Sequence, residues 1–396
     1  MSRLEECILG DLVEFQRGYD LPKSKFVEGK YPVQSSNGIL GYHNEYKVEG
    51  PGITIGRSGT VGNPHLIREN FFPHNTSLFV KDFKGNDIEY IYYLLQYLDL
   101  GNQKSGSGVP TMNRNHLHPI KIRAYRDKSC QQRAIKILSL IDKKIQINNQ
   151  INQELESMAK TLYDYWFVQF DFPDQNGKPY KSSGGKMVYH PELKREIPEG
   201  WGVEKIEDIA KTGSGGTPKS TNVSYYSNGE IPWINSGELE QTVITSTSNF
   251  ITEEGLNNSS AKLFPSGTIL VAMYGATAGK VSFLTFEAST NQAICAIMLN
   301  DIRMRYYLKN VIEDLYQYLV KLSTGSARDN LSQDMIKNIK VVIPSNDILD
   351  RYYDFSNNII KEITKKQQEN EQLTQLCDWL LPMLMNGQVK VEDFTI

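Results

Sequence analysis

The chain has 396 residues, of which 39% are hydrophobic and 22% charged, a composition typical of globular rather than disordered proteins. Its length predicts two domains, and its longest apolar runs, such as Thr268–Met273, are too short to cross a bilayer. The formal net charge of −3 argues against a protein that binds nucleic acid unaided through a basic excess.

The N-terminal residues and the cysteines argue against a secreted, disulfide-bonded or zinc-binding protein. Residues Met1–Gly10 contain charged side chains and no apolar core, so they do not resemble a signal peptide, and we expect a cytoplasmic protein. Cys7, Cys130, Cys295 and Cys377 lie far apart, which indicates neither a disulfide framework nor a zinc site.

The first predicted element is a mixed α/β module over residues 1–126. Gly29–Ser36 is typical of a short strand entering a polar turn, and the β-rich run Gly52–Ile55 leads into the Gly/Ser/Thr loop Gly56–Gly62. The stretch Leu100–Arg126 contains several Lys and Arg residues and no acid. A basic stretch of this kind is either a solvated surface or a face that binds an anion.

A long helix is predicted over residues 127–170, because apolar and small residues recur at alternating spacings of four and three. These positions are Ala134, Leu138, Ile141, Ile145, Asn148, Asn152, Leu155, Ala159, Leu162 and Trp166. The aromatic end of the helix, Tyr163–Phe170, either docks a partner or caps a module core. Residues 171–200 are rich in Pro, Gly, Ser and charge and predict a linker with turns.

The second module, over residues 201–345, repeats the first. Gly229–Ser236 parallels Gly29–Ser36 at a shift of 200, and Tyr274–Gly279 parallels the Gly56–Gly62 loop. A further match relates Asn291-Gln292 to Asn75-Thr76 at a shift of 216. Two more matches have a shift of 219: Gly325-Ser326 with Gly106-Ser107, and Ile339–Val341 with Ile120–Ile122. The shift drifts because the loops differ in length.

A second long helix is predicted over residues 346–389, and each of its heptad positions equals one in the first helix plus 218. They are Tyr352, Ser356, Ile359, Ile363, Lys366, Asn370, Leu373, Cys377, Leu380 and Leu384. Antiparallel packing places Asn148 opposite Asn370, in a polar layer of the kind that fixes register. The alternative is that these polar residues point to solvent and have no role in register.

Tests for catalytic motifs fail at specific residues. Gly213–Ser220 approaches a phosphate-binding loop, but Pro218 removes a backbone amide where glycine is required. The chain has no Asn/Asp-Pro-Pro-aromatic motif of an amino-methyltransferase. Asp174, Glu192 and Lys194 are the residue types of a metal-dependent nuclease, but they fall in the predicted linker rather than on a rigid sheet.

The residues resemble one family over nearly the whole chain: the specificity subunits of type I restriction-modification systems. The motifs that carry the resemblance are Ile197-Pro198-Glu199-Gly200-Trp201, Gly215-Gly216-Thr217-Pro218, Ile231-Pro232-Trp233, Asn291-Gln292, Ile339–Pro344, and the helix ends Leu162–Phe170 and Leu380–Val389. The first module departs from the family pattern, since Gln16–Tyr19 stands in place of Gly-Gly-Thr-Pro.

The resemblance implies an α+β fold in which two mixed α/β target recognition domains are separated by two long antiparallel coiled-coil helices, with an internal pseudo-twofold repeat. Each domain is expected to read one half of an asymmetric bipartite DNA target, while the helices set the gap and dock partners. The implied partners are double-stranded DNA, two methyltransferase subunits and restriction/translocase subunits. The chain itself is expected to have no catalytic site, cofactor or metal, because S-adenosylmethionine, ATP and Mg²⁺ belong to those partners.

By analogy with this family, we expect DNA contacts from the polar loops of both modules, whose side chains suit phosphates and base edges. In the first module the candidates are Arg17, Ser35, Ser36, Asn37, Arg57, Ser58, Thr60, Ser105, Ser107, Asn113 and Arg114. In the second module they are Thr217, Lys219, Asn235, Ser236, Tyr274, Thr277, Lys280, Ser326, Arg328, Asn330 and Gln333.

Two alternatives stay open at this point. The chain is a protein-binding scaffold that does not touch DNA, or it is a DNA methyltransferase or nuclease with an unrecognised motif. A purified chain that methylates or cleaves DNA without partners would favour the enzyme.

Overall fold

A computed structural model describes residues 4–102, 111–275, 277–322 and 331–389. Two compact units are present: a first unit of Met1–Gln146 with Glu371–Ile396, and a second unit of Ile147–Asn370. No helix within the described ranges is both long and apolar enough to cross a membrane.

The first unit contains nine strands within the part of the chain that is described. They are β1 (Glu5–Ile8), β2 (Glu14–Arg17), β3 (Tyr31–Ser35), β4 (Gly38–His43), β5 (Gly52–Gly56), β6 (Pro64–Ile67), β7 (Phe72–Pro73), β8 (Ser77–Asp82) and β9 (Lys121–Ala124). Its helices are α1 (Leu9–Leu12), α2 (Ile88–Tyr97), α3 (Arg114–Leu117) and the start of α4 (Lys128–Tyr163).

The strands of the first unit form a four-stranded sheet in the order β2-β8-β5-β6, a three-stranded sheet in the order β4-β3-β7, and the pair β1-β9. Strand β5, which lies between β8 and β6, is buried along its whole length. Leu9, Phe15, Ile53, Tyr90 and Leu94 lie in one core with the first turns of α4. The loops that connect these strands are therefore anchored to a sheet whose residues lie in the core of the first unit.

Strands of the second unit begin with a hairpin. They are β10 (Met187–His190), β11 (Arg195–Pro198), β12 (Gly202–Lys205), β13 (Ala210–Ser214), β14 (Ile231–Ile234), β15 (Val243–Ile244), β16 (Phe250–Ile251), β17 (Leu263–Phe264), β18 (Ile269–Ala272), β19 (Val281–Leu284), β20 (Ala288–Thr290), β21 (Ile294–Leu299) and β22 (Lys340–Ile343). The helices are α5 (Ile206–Ile209), α6 (Glu253–Asn257), α7 (Arg305–Leu322), α8 (Gln333–Lys337) and α9 (Asn346–Met385), the last of which ends in the first unit.

The sheets of the second unit repeat the frame of the first. The order β13-β21-β18-β19-β15 corresponds to β2-β8-β5-β6 with one added strand, and β16-β14-β20-β17 contains the counterpart of β3-β7. Both short pairs are parallel, with Gln34 opposite Pro73 and Ile234 opposite Thr290. The internal repeat predicted from the sequence is confirmed at the level of strand order and register.

The two long helices run antiparallel where both contribute to one unit. In the second unit Asn148 Nδ2 donates to Asn370 Oδ1 at 2.9 Å, and the rings of Trp166 and Tyr352 pack together with their centroids 6.0 Å apart. In the first unit Leu138 shares a core with Leu380. The predicted antiparallel order is confirmed, and Asn148, which is fully buried, does not point to solvent.

The aromatic end of α4 belongs to the core of the second unit. After Tyr163 the chain forms a π-helical segment, Asp164–Val168, and Phe167 packs edge-on against Tyr352 at 4.8 Å. Tyr163, Trp166 and Phe167 are all buried. These residues cap the core of the second unit, as one of the two interpretations predicted, while Tyr165 and Val168 of the same segment are exposed and docking of a partner stays a prediction.

The segment predicted as a linker, residues 171–200, is an ordered part of the second unit. It contains the β10–β11 hairpin, and its Phe172 and Ile197 are buried. Phe172 stacks between Tyr180 and Trp201, at 4.7 and 5.0 Å. The abundant glycine and proline residues form turns here rather than a flexible tether.

Candidate nucleic-acid interface

In the first unit, polar residues from three loops meet at one end of the β2-β8-β5-β6 sheet. The loops follow β2, β3 and β5, and the segment before β8 lies between them. Arg57 N and Ser58 N donate to Thr76 O at 2.8 and 3.1 Å, and Ser36 N donates to Thr76 Oγ1 at 3.3 Å. We call the first loop cluster the set Arg17, Asp20, Ser36, Asn37, Arg57, Asn75 and Thr76.

Two guanidinium groups and one carboxylate lie close together in this cluster. Arg17 Nη2 lies 3.0 Å from Asp20 Oδ1, and Asn75 Nδ2 donates to the same carboxylate oxygen. Arg57 Nη1 donates to Asn75 O at 3.5 Å. The side chains of Arg17 and Asp20 are 51% and 67% exposed, so both remain accessible to a ligand.

The start of α3 is tied to the same loops. Met112 N donates to Arg57 O at 2.8 Å, and Asn113 Oδ1 caps the helix by accepting from Asn115 N at 3.0 Å. Burial, Lys84 and Arg114 together lower the pKa of His118, so His118 stays neutral near pH 7. Arg114, the first residue of α3, is an exposed cation.

In the second unit, the equivalent loops carry neutral polar side chains. Thr217 Oγ1 and Gln292 Oε1 form a hydrogen bond, and Asn291 Nδ2 donates to Asn235 Oδ1 at 3.4 Å. We call Thr217, Asn235, Ser236, Thr277, Asn291 and Gln292 the second loop cluster. Lys219 and Lys280, beside it in sequence, are exposed cations.

A glycine at the same place in each unit lets two loops touch. A Cβ on Gly18 would lie 2.1 Å from His74 O and 2.6 Å from Pro73 O, and a Cβ on Gly215 would lie 2.0 Å from O of Thr290, the counterpart of Pro73. Such distances are far below van der Waals contact, so only glycine fits without movement. Gly18 therefore occupies in the first unit the place that Gly215 occupies in the second.

Hydrogen bonds across the sheets correct the alignment made from sequence. With β3 related to β14 by a shift of 200, the parallel pairs Gln34–Pro73 and Ile234–Thr290 set a shift of 217 for the segment that leads into β8. The antiparallel pairs Arg17–Leu78 and Ser214–Cys295 then set a shift of 197 for the loop after β2. At a shift of 217, the counterpart of Asn75 is Gln292 rather than Asn291. The shift of 216 predicted for this pair was wrong by one residue, since short loops absorb single insertions.

Backbone hydrogen bonds also show which residue of the second unit corresponds to Arg57, in the loop after β5. Arg57 N donates to Thr76 O and Met273 N donates to Ala293 O, both at 2.8 Å. Arg57 and Met273 are therefore counterparts, and the first loop places a cation where the second has a buried methionine. The two loops are equivalent, as predicted, but their side chains differ in chemistry.

The predicted contact residues fall into three groups. The first group is exposed or half-buried at loops, at helix starts or, for Arg17, at the end of β2: Arg17, Asn37, Arg57, Ser58, Thr60, Asn113, Arg114, Thr217, Lys219, Asn235, Ser236, Tyr274, Lys280 and Gln333. Ser35, Ser36 and Thr277 are buried, and the hydroxyls of Ser35 and Thr277 donate to backbone oxygens of Gly38 and Ser236 at 2.8 Å. Ser105, Ser107, Ser326, Arg328 and Asn330 lie outside the described residues.

Ser35, Ser36 and Thr277 hold the shape of their loops, and their contact with DNA stays a prediction. Five members of the clusters were not among the predicted contact residues: Asp20, Asn75, Thr76, Asn291 and Gln292. The signal that reveals them is the shared close approach at Gly18 and Gly215, which fixes the shift at 197, together with strand register. Within the described residues, no group of three or more His, Cys, Asp or Glu side chains is placed to hold a metal ion.

Comparison with known proteins places these features in a family. A model of the type I restriction modification DNA specificity domain matches residues 1–157 and again residues 198–375. The MjaIX specificity subunit of a type I restriction enzyme from Methanocaldococcus jannaschii is 27% identical over 348 residues, which cover 86% of this chain and 76% of the relative. A type I specificity subunit from Escherichia coli is 22% identical over 94% of this chain and 95% of its own length.

A solved structure supports the fold. The crystal structure of a type I restriction-modification system S subunit from M. genitalium matches with a TM-score of 0.55 at 16% identity, covering 97% of this chain and 96% of that one. The family resemblance expected from the motifs is thus confirmed by independent comparisons. Since the family model matches most of the chain in two successive copies, the chain belongs to the type I restriction-modification DNA specificity family.

Proposed function

We propose that this chain is the DNA-recognition subunit of a type I restriction-modification complex, in which each module reads one half of an asymmetric bipartite target. One observation carries the proposal: both units present loops on the same hydrogen-bonded frame, but the side chains at matched positions differ. Arg57 is matched by Met273, and Asn75 is matched by Gln292. Readers with one frame and different side chains suit half-sites of different sequence.

The long helices are the spacer in this proposal. Helix α4 has 36 residues and α9 has 40, so each spans more than 50 Å at about 1.5 Å per residue. The buried Asn148–Asn370 hydrogen bond fixes their register, because a slip would leave both amides without that partner. A fixed register gives a fixed gap between the two half-sites.

Charge supports a shared DNA interface. The formal net charge is −3, and the positive side chains Arg17, Arg57 and Arg114 of the first unit are exposed or half-buried. A chain of this charge gains little affinity from counterion release by itself. The remaining phosphate contacts are assigned to partner subunits.

In the assembled complex, two methyltransferase subunits and restriction/translocase subunits supply the chemistry. S-adenosylmethionine, ATP and Mg²⁺ are bound by those partners, and this chain is not itself a catalyst. The complex acts on double-stranded DNA in the cytoplasm.

Methylation mapping tests the proposal directly. The chain is expressed with its methyltransferase subunit in a host that lacks other modification systems, and methylated sites are identified across the genome. The expected result is one split, asymmetric motif with a constant gap. An uninterrupted or absent motif contradicts the proposal, and methylation or cleavage of DNA by the chain alone supports the enzyme alternative. Methylation whose motif does not depend on this chain supports the scaffold alternative.

A further inference from the structure

The second module, residues 201–345, is anchored to the long helices by apolar packing at one end. Trp166 and Phe167, at the aromatic end of α4, share a core with Tyr352 of α9 and with Phe283 of strand β19. The hydrophobic effect has no preferred direction, so this contact holds the module in place without closely defining its angle.

Two polar contacts hold the same module farther along α4. Thr242 Oγ1 donates to Glu156 Oε1 at 2.6 Å, and Lys160 Nζ lies 3.1 Å from Asp314 Oδ1 in α7. We call these two pairs the outer contacts. Glu156 precedes Trp166 by ten residues, which is about 15 Å along a helix. At this distance from the aromatic end, the outer contacts oppose a tilt of the module.

A cleft separates the module from the helices between these two sets of contacts. Its volume is about 310 Å³, which has room for several water molecules. Glu156, Lys160 and Ser356 line the side of the long helices, while Thr242 and Phe283 line the side of the module. The module is therefore not packed continuously against the helices, and its angle depends on contacts that span the cleft.

Thr242 is firmly attached to the sheet of the module. Phe283 N donates to Thr242 O at 2.8 Å, and the neighbouring Ser282 Oγ donates to Gln241 O at 2.6 Å. Strand β15 follows Thr242 directly and pairs with β19 in parallel. A force on the Thr242 hydroxyl is thus transmitted to the sheet that carries the recognition loops.

The outer contacts depend on features that the described part of the chain does not repeat. Strand β15 is the one by which the five-stranded sheet of the second unit exceeds the four-stranded sheet of the first. At the shift of 218 that relates the helices, Glu156 and Lys160 correspond to Thr374 and Asp378. An acid and a lysine at these positions therefore serve the second module alone.

Resting on the proposed function, we propose that the outer contacts are positioning contacts that fix the angle of the second module and thereby the gap that the complex accepts. One base pair of gap changes the separation of the half-sites by about 3.4 Å and their relative rotation by about 35°. A module held at one angle reads its half-site at one gap. A module released to tilt also reads it at neighbouring gaps.

The test uses the complete complex of this chain with its methyltransferase subunit. After the wild-type motif is known, initial methylation rates are measured on duplexes with the wild-type gap and with one base pair more or fewer. The double variant Thr242→Val with Asp314→Ala removes the hydroxyl donor and the carboxylate, and it leaves both long helices unchanged. A purely structural role would lower the rate at every gap alike, whereas a positioning role changes the ratio between gaps.

The matched control is the double variant Thr285→Val with Glu313→Ala, which removes contacts confined to the module. Thr285 Oγ1 donates to Ile244 O at 2.8 Å, and Glu313 lies 2.7 Å from Lys309 of the same helix. These substitutions are of the same types as those in the test variant. The control should keep the wild-type ratio between gaps.

Preference for the wild-type gap should fall by about 3- to 30-fold in the test variant, as expected for one exposed hydrogen bond and one exposed ion pair. Base preferences within each half-site should stay unchanged. A single substitution checks the hydrogen bond by itself: Glu156→Ala should lower the preference, whereas Glu156→Gln retains an acceptor for Thr242 and should keep it.

Three results overturn the inference. They are an unchanged gap preference in the test variant, the same decrease in the control, and an equal loss of rate at every gap. Failure of the proposed function is distinct from these results. It appears in the wild-type complex as the absence of a split motif with a constant gap, before any variant is compared.

Discussion

Replacing Gly215 with alanine should disrupt the second loop cluster. The new Cβ would lie 2.0 Å from Thr290 O and 2.2 Å from Thr290 Oγ1, so the two loops must separate by more than an ångström to restore contact distance. That movement breaks the 2.9 Å bond from Gly216 N to Thr290 O. It also disturbs the 3.0 Å bond from Trp233 Nε1 to Gly216 O.

The magnitude follows from these contacts. Overpacking costs about 1 to 3 kcal/mol, and each lost hydrogen bond costs about 0.5 to 1.5 kcal/mol, so Gly215→Ala should destabilise the second unit by about 2 to 6 kcal/mol. For a unit of this size, each kcal/mol lowers the unfolding midpoint by about 2 to 4 °C. The expected decrease is therefore at least about 4 °C.

Thermal unfolding followed by tryptophan fluorescence and circular dichroism measures this effect in the full chain. Gly237→Ala is the control, because Gly237 follows Ser236 of the second loop cluster in sequence but has no atom within 4 Å of its added Cβ. Gly237→Ala should leave the midpoint unchanged or raise it slightly. Equal midpoints for the two variants would refute the close-approach argument.

Three further predictions concern register, pH and charge. Asn148→Leu should destabilise the chain by about 1 to 3 kcal/mol in urea unfolding, because Asn370 and Glu369 lose a buried hydrogen-bond donor. Adding Asn370→Leu should recover much of this stability, since both members of the polar pair are then apolar. A double variant as unstable as Asn148→Leu alone would contradict the role of this pair. Hydrogen bonds from Ser129 and Cys130 lower the pKa of Asp127 to about 2. The carboxylate therefore stabilises α4 fully above its ordinary pKa of 3.8, and this stabilisation is lost as the pH falls towards 2. In Asp127→Asn, the free energy of unfolding should fall less steeply with decreasing pH in this range. The same acid dependence in the variant and the wild type would count against this role. Arg57→Ala should weaken DNA binding by the complex and reduce its salt slope by about one, and unchanged slope and discrimination would remove Arg57 from the interface.

The repeat and the helices were predictable because burial leaves a periodic signal in sequence. Heptad positions such as Leu138, Leu162, Ile363 and Leu380 recur at intervals set by the geometry of two packed helices. The same pattern predicted that Asn148 meets Asn370, and the hydrogen bond between them confirms it. Motifs along most of the chain also identified the family correctly.

Loops gave weaker signals. The sequence predicted polar loops at equivalent places in the two modules, but one-residue insertions are invisible to composition. They displaced the match of Asn75 from Gln292 to Asn291. The glycine-rich segment 171–200 was predicted as a linker because glycine and proline mark turns, and they do so equally in a tether and in an ordered hairpin.

By itself, then, the sequence determined the duplicated architecture, the antiparallel helices and the family, because each leaves a pattern of periodic spacing or a motif of contiguous residues. Only the tertiary structure decided which loop residues are counterparts. Asp20 and Thr217 share no residue type or motif, and their equivalence depends on the register of backbone hydrogen bonds and on the approach permitted by Gly18 and Gly215. Such contacts join segments that are distant in the chain, so no local pattern records them.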